Sequence, residues 1–542
     1  MERNRKIMKN TETQRHRGTK KTRRPTDFSA AFSFCLCVFV ALCFNAVEFR
    51  SQLIAAESSF IGIAPQGARI EAMMVPGAST ASTTVLVIGG IKGEQESARV
   101  VSQEIRKFEA IRQEQRPFKL LAIPLANPEA SKLVFPPTGA AYRDNPESHA
   151  LWRWIAIQAP DLVVIATGDD DYGLARALTD NAVAGIGRTP ARRVDVKQGI
   201  LDPILALKEI PPSEARRELQ RRLARSPRVV ADELAKVYGR EFNDLTYIPG
   251  MGLIGQLRLG RMADVQTLVA PFVDGPKAGS PGRPVSGNLA GYLVFAELAE
   301  RTGNARYLQM VKDAANVGFT ETGEMKESMG ASNGMSDGVF MSIPILGKAF
   351  KLTGEGKYCE MAARHLAFMQ DLDLRPDGLY RHSPTSDNVA WGRGNAFPAL
   401  GLSYVLSDCP KDTTAFNTML RQFQQHIAVL ARFQDPAGLW HQVIDEPASY
   451  AEFTATAMIG IAMLRGVRNG WLDSRTYQPR IDRAWKAVLA RIAANGDLMD
   501  VCESTNKQAT LQDYLHREAI LGRDIRGGGM ALIFATELAG LQ

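Results

Sequence analysis

Three stretches repeat along the second half of the chain. Asp377-Gly378-Leu379-Tyr380, Pro436-Ala437-Gly438-Leu439-Trp440 and Asn495-Gly496-Asp497-Leu498-Met499 each close a long amphipathic segment, and their glycines stand 60 and 58 residues apart. That interval holds two helices and two loops, so the repeating unit is a helical hairpin stacked on its neighbour, and such hairpins close into an (α/α) toroid. Residues 246–542 are short for a full ring, which predicts an abbreviated first hairpin or one borrowed from the preceding segment. Loops at one end of such a ring converge on its central cavity.

The first half has a different rhythm. Thr84 to Ile91, Phe118 to Ala126 and Asp161 to Ala166 read as buried parallel strands, alternating with helical patterns at Glu96 to Arg112 and Glu147 to Gln158. This predicts an α/β domain with a mostly parallel sheet over residues 58–202. Residues 203–245 read as a helical connector, with Pro211-Pro212-Ser213-Glu214 starting a helix. At 542 residues the chain has length for two cores, and two domains are expected.

The formal charge of +7 does not point to nucleic acid. Residues 1–27 carry ten Lys and Arg against Glu2, Glu12 and Asp27, and everything after them sums to zero. Phe28 to Val47 is a run of twenty residues without a charge. A basic segment followed by such a run is built like an export signal or an amino-terminal anchor, with small residues suited to cleavage at Ala55 and Ala56. Residues 1–57 are therefore set apart, the rest is expected outside the cytoplasm, and a membrane is expected only through that anchor. Outside the apolar run only Cys359, Cys409 and Cys502 are left, too scattered for a disulfide framework or a metal cluster.

The stretch from Asp377 to Phe397 concentrates binding chemistry. Glycines on both sides of Arg393 allow positive φ and close approach to a ligand, and the guanidinium is a forked donor for a carboxylate. Trp391 and Tyr380 offer flat faces for a sugar ring. These residues resemble the unsaturated glucuronyl and rhamnogalacturonyl hydrolases of glycoside hydrolase families 88 and 105. There Gly-Leu-Tyr-x-His leads into Trp-Gly-Arg-Gly-Asn-Gly-Trp; here the sequence runs Gly378 to His382 and Trp391 to Phe397, with Ala396-Phe397 in place of Gly-Trp.

The resemblance implies the six-hairpin toroid over residues 246–542. It also implies a catalytic role for Asp337, which opens Asp-Gly-Val-Phe-Met 45 residues before His382; by residue type alone Asp337 is equally a helix N-cap. Substrate contacts are implied for His382, Trp391, Arg393 and Asn395, and for Trp440 and His441. Glu452 is implied as an orienting residue, although capping explains it as well. A second family aspartate lacks a clear counterpart; Asn288 or Ser286 lies nearest, so Asn288 is expected at the sugar hydroxyls.

At the end of the first predicted parallel strand the chain reads Gly89-Gly90-Ile91-Lys92-Gly93-Glu94-Gln95. This resembles a zinc carboxypeptidase domain of the succinylglutamate desuccinylase kind, in which His-Gly-x-Glu binds zinc. Lys92 replaces the His, Gln95 the Glu, and Thr167 falls where the third ligand belongs. A cation and two poor ligands imply the scaffold without its metal, and no cofactor is expected.

The family resemblance implies an oligosaccharide substrate ending in a 4,5-unsaturated uronic acid, whose double bond is an enol ether. Protonation at C4 and addition of water at C5 give a hemiketal that releases the neighbouring sugar. Ordinary glycosidases use two carboxylates, whereas hydration can use one carboxyl twice, as acid and then as base. Two other readings stand: a non-catalytic carbohydrate-binding protein, and an ordinary glycosidase with Glu452 or Asp445 as second carboxylate.

Overall fold

The protein is described by a computed structural model covering residues 56–541, apart from 80–81, 169, 208, 275–287 and 331–333. The export segment expected at residues 1–47, and Ser286, lie outside the described residues. Strands β1 (Glu57–Ile63), β2 (Arg69–Val75), β3 (Thr84–Ile88), β4 (Lys119–Ile123), β5 (Leu162–Ala166) and β6 (Ala191–Val194) form one sheet in the order β1-β2-β4-β3-β5-β6. β4, β3, β5 and β6 run parallel, while β1 and β2 add an antiparallel edge. All five residues of β3 are buried, as a strand covered on both faces requires. Alternate residues serve opposite cores. Leu86, Ile88 and Leu121 pack under α2 (Pro146–Gln158), and Val85, Val87 and Leu120 pack under α1 (Gln95–Glu109).

β3 stops short of Ile91 because Gly89 meets another chain segment: a Cβ there would lie 2.6 Å from the Pro124 carbonyl. In the turn that follows, Glu94 accepts from the Lys92 amide at 2.8 Å and lies 3.5 Å from the Thr167 hydroxyl. Among the described residues no group of three His, Cys, Asp or Glu is placed to hold a metal ion.

After β5 come α3 (Leu174–Asp180), α4 (Leu201–Leu205), α5 (Glu214–Leu223) and α6 (Pro227–Leu234). Ser213 caps α5 through the Arg216 amide at 3.0 Å. Five antiparallel hairpins follow: α7 (Tyr247–Arg258) with α8 (Met262–Val273), α9 (Leu293–Thr302) with α10 (Ala305–Ala315), α11 (Gly338–Thr353) with α12 (Lys357–Asp373), α13 (Gly392–Asp408) with α14 (Thr414–Arg432), and α15 (Phe453–Arg468) with α16 (Ser474–Ala490). A short two-stranded sheet, β7 (Leu498–Cys502) and β8 (Ala519–Gly522), holds α17 (Leu511–Leu515) between its strands and precedes α18 (Ile525–Leu538).

Among the described residues α7, α9, α11, α13, α15 and α18 form a closed inner ring, each packed on the next, with α18 returning to α7. Their sequences show why. α13 is buried at every position from Gly392 to Leu406, whereas outer α14 buries Phe416, Met419, Phe423, Ile427 and Leu430 along one stripe. The partner of α18 is α6, which lies before the boundary expected at residue 246. The glycine turns explain the fit. Gly378, Gly438 and Gly496 have φ of +86°, +100° and +88°, and Gly323 repeats the turn at +85°. A Cβ on Gly378 would meet Val429 of α14, one on Gly438 would meet Arg483 of α16, and one on Gly496 would meet Val237, just past α6. Each turn seats on the next outer helix, and α6 occupies that place for the last.

The structure corrects two expectations. The ring region is not purely helical, since β7 and β8 interrupt it. Cys359 and Cys409 are joined by a disulfide between the α12 and α13 regions, with Cα atoms 6.0 Å apart, leaving Cys502 free and buried. The sheet and the ring lie in one compact unit, Leu53–Gln542. Arg153 of α2 pairs with Asp500 of β7 at 2.6 Å, and Tyr142 stacks on Tyr450 with ring centres 4.6 Å apart.

Candidate active site

All six inner helices begin at the same end of the ring, and Asp337, Trp391, Glu452 and Asp524 each stand immediately before one of them. Backbone hydrogen bonds sew the segments together there. The Ser336 amide donates to the His382 carbonyl at 3.0 Å, the His382 amide to Val389 at 2.9 Å, and the Gly392 amide to Gln442 at 2.8 Å. The glycines flanking Arg393 are helical and serve packing rather than positive φ. A Cβ on Gly392 would lie 2.5 Å from the His441 carbonyl, and one on Gly394 would lie 3.0 Å from the Ser336 hydroxyl.

Asp337 does not cap α11: its side chain accepts no capping hydrogen bond. Its Oδ1 instead faces Nε2 of His382 at 3.4 Å, and both atoms are buried without a hydrogen-bond partner. On the other side of the ring, His382 Nδ1 lies 2.5 Å from the Tyr514 hydroxyl. That oxygen accepts from the Gln508 amide at 3.0 Å and lies 3.2 Å from the Ser386 hydroxyl. The phenol donates its one hydrogen to Ser386, so its oxygen accepts from Nδ1, which leaves Nε2 presenting a lone pair toward Asp337. Trp391 packs on His382 with centroids 4.3 Å apart and hydrogen-bonds Gln442 at 3.2 Å.

Arg393 departs from the expected role. Its Nη1 donates to the Cys502 carbonyl at 2.9 Å and its Nη2 to the Ser504 carbonyl, with Glu452 3.8 Å away. Burial alone would favour a neutral guanidinium, but Cys502 and Glu452 outweigh it and hold Arg393 more firmly charged than an ordinary arginine. Both terminal nitrogens are spent on the chain, so Arg393 anchors β7 rather than offering a fork to a ligand. Glu452 caps α15 through the Ala455 amide and accepts from the Cys502 amide at 3.0 Å. Arg393 keeps only Nε unpartnered, and a second cation, Arg517, has more open donors. It lies 5.5 Å over Trp391, buried, with Nε and Nη1 unpartnered.

Other expected contacts are also corrected. Asn395 is fully buried and bonds the backbone of Tyr380 in both directions at 2.8 Å and Trp391 at 3.0 Å, so it pins the turn rather than a sugar. Trp440 is a core residue, its indole donating to Leu430 at 2.7 Å. His441 turns the other way, into a cavity beside the sheet, because neighbours on an extended segment point to opposite sides. From that stretch Gln442 reaches the site, bonding Trp391 and the Tyr514 carbonyl. Asn288 is half-buried at the start of a short turn, residues 289–292, leading into α9. Asp445 is exposed and paired with Arg375 at 2.7 Å.

Sequence reasoning missed Tyr514, Arg517 and Asp373. Asp373 ends outer helix α12, buried, with both carboxyl oxygens unpartnered and Arg381 3.6 Å away. Burial pushes it up to about 8, against the pull of Arg381, and the charge of Asp337 adds to the rise. No local pattern marks these residues; a hydrophobic-to-polar step at a helix end is the nearest signal.

A closed ring of six inner helices with an unpaired Asp–His couple at their N-terminal end is an (α/α) toroid with a candidate site at its mouth. Residues 288–542 match the family model described as Glycosyl Hydrolase Family 88, and this region is a domain of that glycosidase family. The chain is 27% identical over 169 residues to an unsaturated 3S-rhamnoglycuronyl hydrolase of Formosa agariphila, covering 28% of this chain and 45% of that protein. It is 25% identical over 152 residues to the unsaturated rhamnogalacturonyl hydrolase YesR of Bacillus subtilis, covering 28% and 41%. The aligned part thus spans less than half the length of these curated relatives. A solved structure described as a possible member of the GH105 family from Salmonella enterica is 22% identical, with a TM-score of 0.49, covering 62% of this chain and 97% of that one.

Proposed function

We propose that the ring domain hydrates the 4,5 double bond of unsaturated uronyl oligosaccharides, with Asp337 as the single general acid and base. The observation that carries this is the Asp337 Oδ1–His382 Nε2 couple, 3.4 Å apart and satisfied by nothing else. Buried polar groups left without partners are costly and rare outside functional sites. Asp337 gives its proton to C4, the cation at C5 takes water, and Asp337 accepts the proton that water releases. The six helix N-termini at this end carry positive partial charge suited to the substrate carboxylate. The direct cationic contact falls to Arg517, since both terminal nitrogens of Arg393 are engaged, and the Nε2 lone pair of His382 faces the Asp337 carboxyl that carries the proton. Family membership and the named relatives support the substrate class.

Asp337→Asn should slow the decay of the enol chromophore by about 10²–10⁴-fold. Decay at the wild-type rate in that variant overturns the assignment.

Two observations favour a non-catalytic carbohydrate-binding protein instead. Arg393 is spent internally, and an amide, Asn288, stands where the resemblance implies a carboxylate. This reading predicts heat on mixing with an unsaturated oligosaccharide and no chromophore decay. We also propose that the protein is exported. The apolar run from Phe28 supports this, as does the Cys359–Cys409 disulfide, which suits an oxidising compartment; fractionation that leaves the protein with cytosolic markers would refute it. Among the described residues no helix is long and apolar enough to cross a membrane. The likeness of the sheet to a zinc-free carboxypeptidase scaffold rests on the sequence, and zinc bound one-to-one by the purified protein would contradict it.

A further inference from the structure

A cavity of about 750 Å³ opens where edge strand β1 and helix α2 face the ring segment 432–451, and its lining includes none of Asp337, His382, Trp391 or Arg393. Its volume and its place between two packed layers are those of a small-molecule site, which typically encloses roughly 300–1,000 Å³.

The buried end is lined by Tyr142, Arg153, His441, Tyr450, Arg491 and Asp500. Asp500 is already committed, accepting from Arg153 at 2.6 Å and from the Tyr142 hydroxyl at 3.2 Å. His441 is committed too, through Nδ1 to the Ser449 carbonyl at 2.5 Å and through Nε2 to Asp435 at 3.4 Å. Asp435 and Ser449 hold the imidazole above its ordinary range despite its burial. Arg491 is less completely satisfied: its Nη1 donates to the Ala487 carbonyl at 3.2 Å. It stands 3.8 Å from Asp500, is 6% exposed, and its Nε has no hydrogen-bond partner. Two guanidinium groups, Arg153 and Arg491, therefore share the single carboxylate of Asp500, and Arg153 has the shorter contact. An unpaired guanidinium donor in such a place is expensive unless something else accepts from it.

The Tyr450 hydroxyl is buried and faces the Cys502 thiol. Nearer the mouth, Phe60, Trp154 and Phe433 offer half-buried aromatic faces, and the charges of Glu57, Lys119, Arg432 and Asp445 cancel. A buried guanidinium with an open Nε at the bottom and aromatic faces above it describe a ring-shaped ligand carrying one carboxylate.

We propose that this cavity is a second binding site, separate from the Asp337 site, for a single uronic acid residue whose carboxylate pairs with Arg491. The inference stands whether or not Asp337 is catalytic.

Calorimetry on the full chain tests it with three probes: D-galacturonate, D-galactose and sodium sulfate. Galacturonate should bind at least tenfold more tightly than either of the others. Arg491→Gln should weaken it at least tenfold, and so should Ala437→Trp, which fills the exposed mouth without touching the core. Asp337→Asn should leave it unchanged. Galactose binding as well as galacturonate, sulfate binding as well as galacturonate, no binding of galacturonate, or binding that survives Ala437→Trp would each overturn the proposal. If Arg491→Gln does not fold, the mouth-filling variant decides alone.

Discussion

The two ends of the ring treat buried charge in opposite ways. Where the inner helices finish, ionic groups are saturated. Glu537 receives Arg258 at 3.2 Å and Arg465 at 2.7 Å, with Arg468 on its carbonyl, while Lys348 is held by Glu297 at 3.0 Å and Glu300 at 2.6 Å. Where they begin, Asp337, His382, Arg517 and Asp373 keep buried polar atoms without partners. Both ends are equally dry, so burial does not distinguish them. Breaking the closed network would strand its charges, whereas the open groups already carry an unrelieved cost in the empty protein.

Asp337→Asn should have the largest effect and sharpen this contrast: turnover falls by about 10²–10⁴-fold, while the urea midpoint hardly moves because no native contact is lost. Glu537→Ala should do the reverse. It strands three arginines and should cost about 3–5 kcal/mol in unfolding free energy, with turnover per folded molecule unchanged. If stability is untouched, the saturated end is not what holds the ring.

Asp373→Asn should stabilise the protein. An unfolded Asp ionises near pH 4, while the folded carboxyl keeps its proton to about 8. Between these values the native state binds more protons, so wild-type stability declines as pH rises, and the variant should gain on the order of 1–3 kcal/mol by pH 8. Glu297 has the opposite sign. Burial opposes its ionisation, but Lys348 and neighbouring arginines bring it down to about 2, so its contribution is present above pH 4.5 and fades toward pH 2. Thermal melts across pH 3–9 separate the two. Smallest of all, Arg228→Ala breaks only an exposed pair with Asp232 and should shift stability by less than about 0.5 kcal/mol; a larger loss would mean that exposed pairs matter as much as the buried network.

Local signals carried the ring. The turns at Gly378, Gly438 and Gly496 need positive φ, a requirement visible in one residue type, whereas Asp337 and His382 were legible only through the family resemblance. The turn at Gly323 was hidden because Glu324 follows it where the others place an apolar or aspartate-led segment. The fate of Arg393 was hidden for another reason: its partners, the carbonyls of Cys502 and Ser504, lie more than a hundred residues away and belong to backbone, which has no sequence signature. Tyr514 and Arg517 were missed likewise, arriving from a short strand pair too brief to read. Asn395 and Trp440 looked like ligands because amides and indoles serve equally well as internal fasteners.

Helix α6 gives the first half of the chain a stake in the second. Tyr238, just beyond it, donates to the Gly496 carbonyl at 2.6 Å, and its ring lies against Gly528 in α18. A polypeptide beginning at Asn288 would omit that wedge along with α7 and α8, leaving α18 with bare oily flanks. A cut at Asn288 therefore falls inside the ring, whose own edge lies upstream at α6.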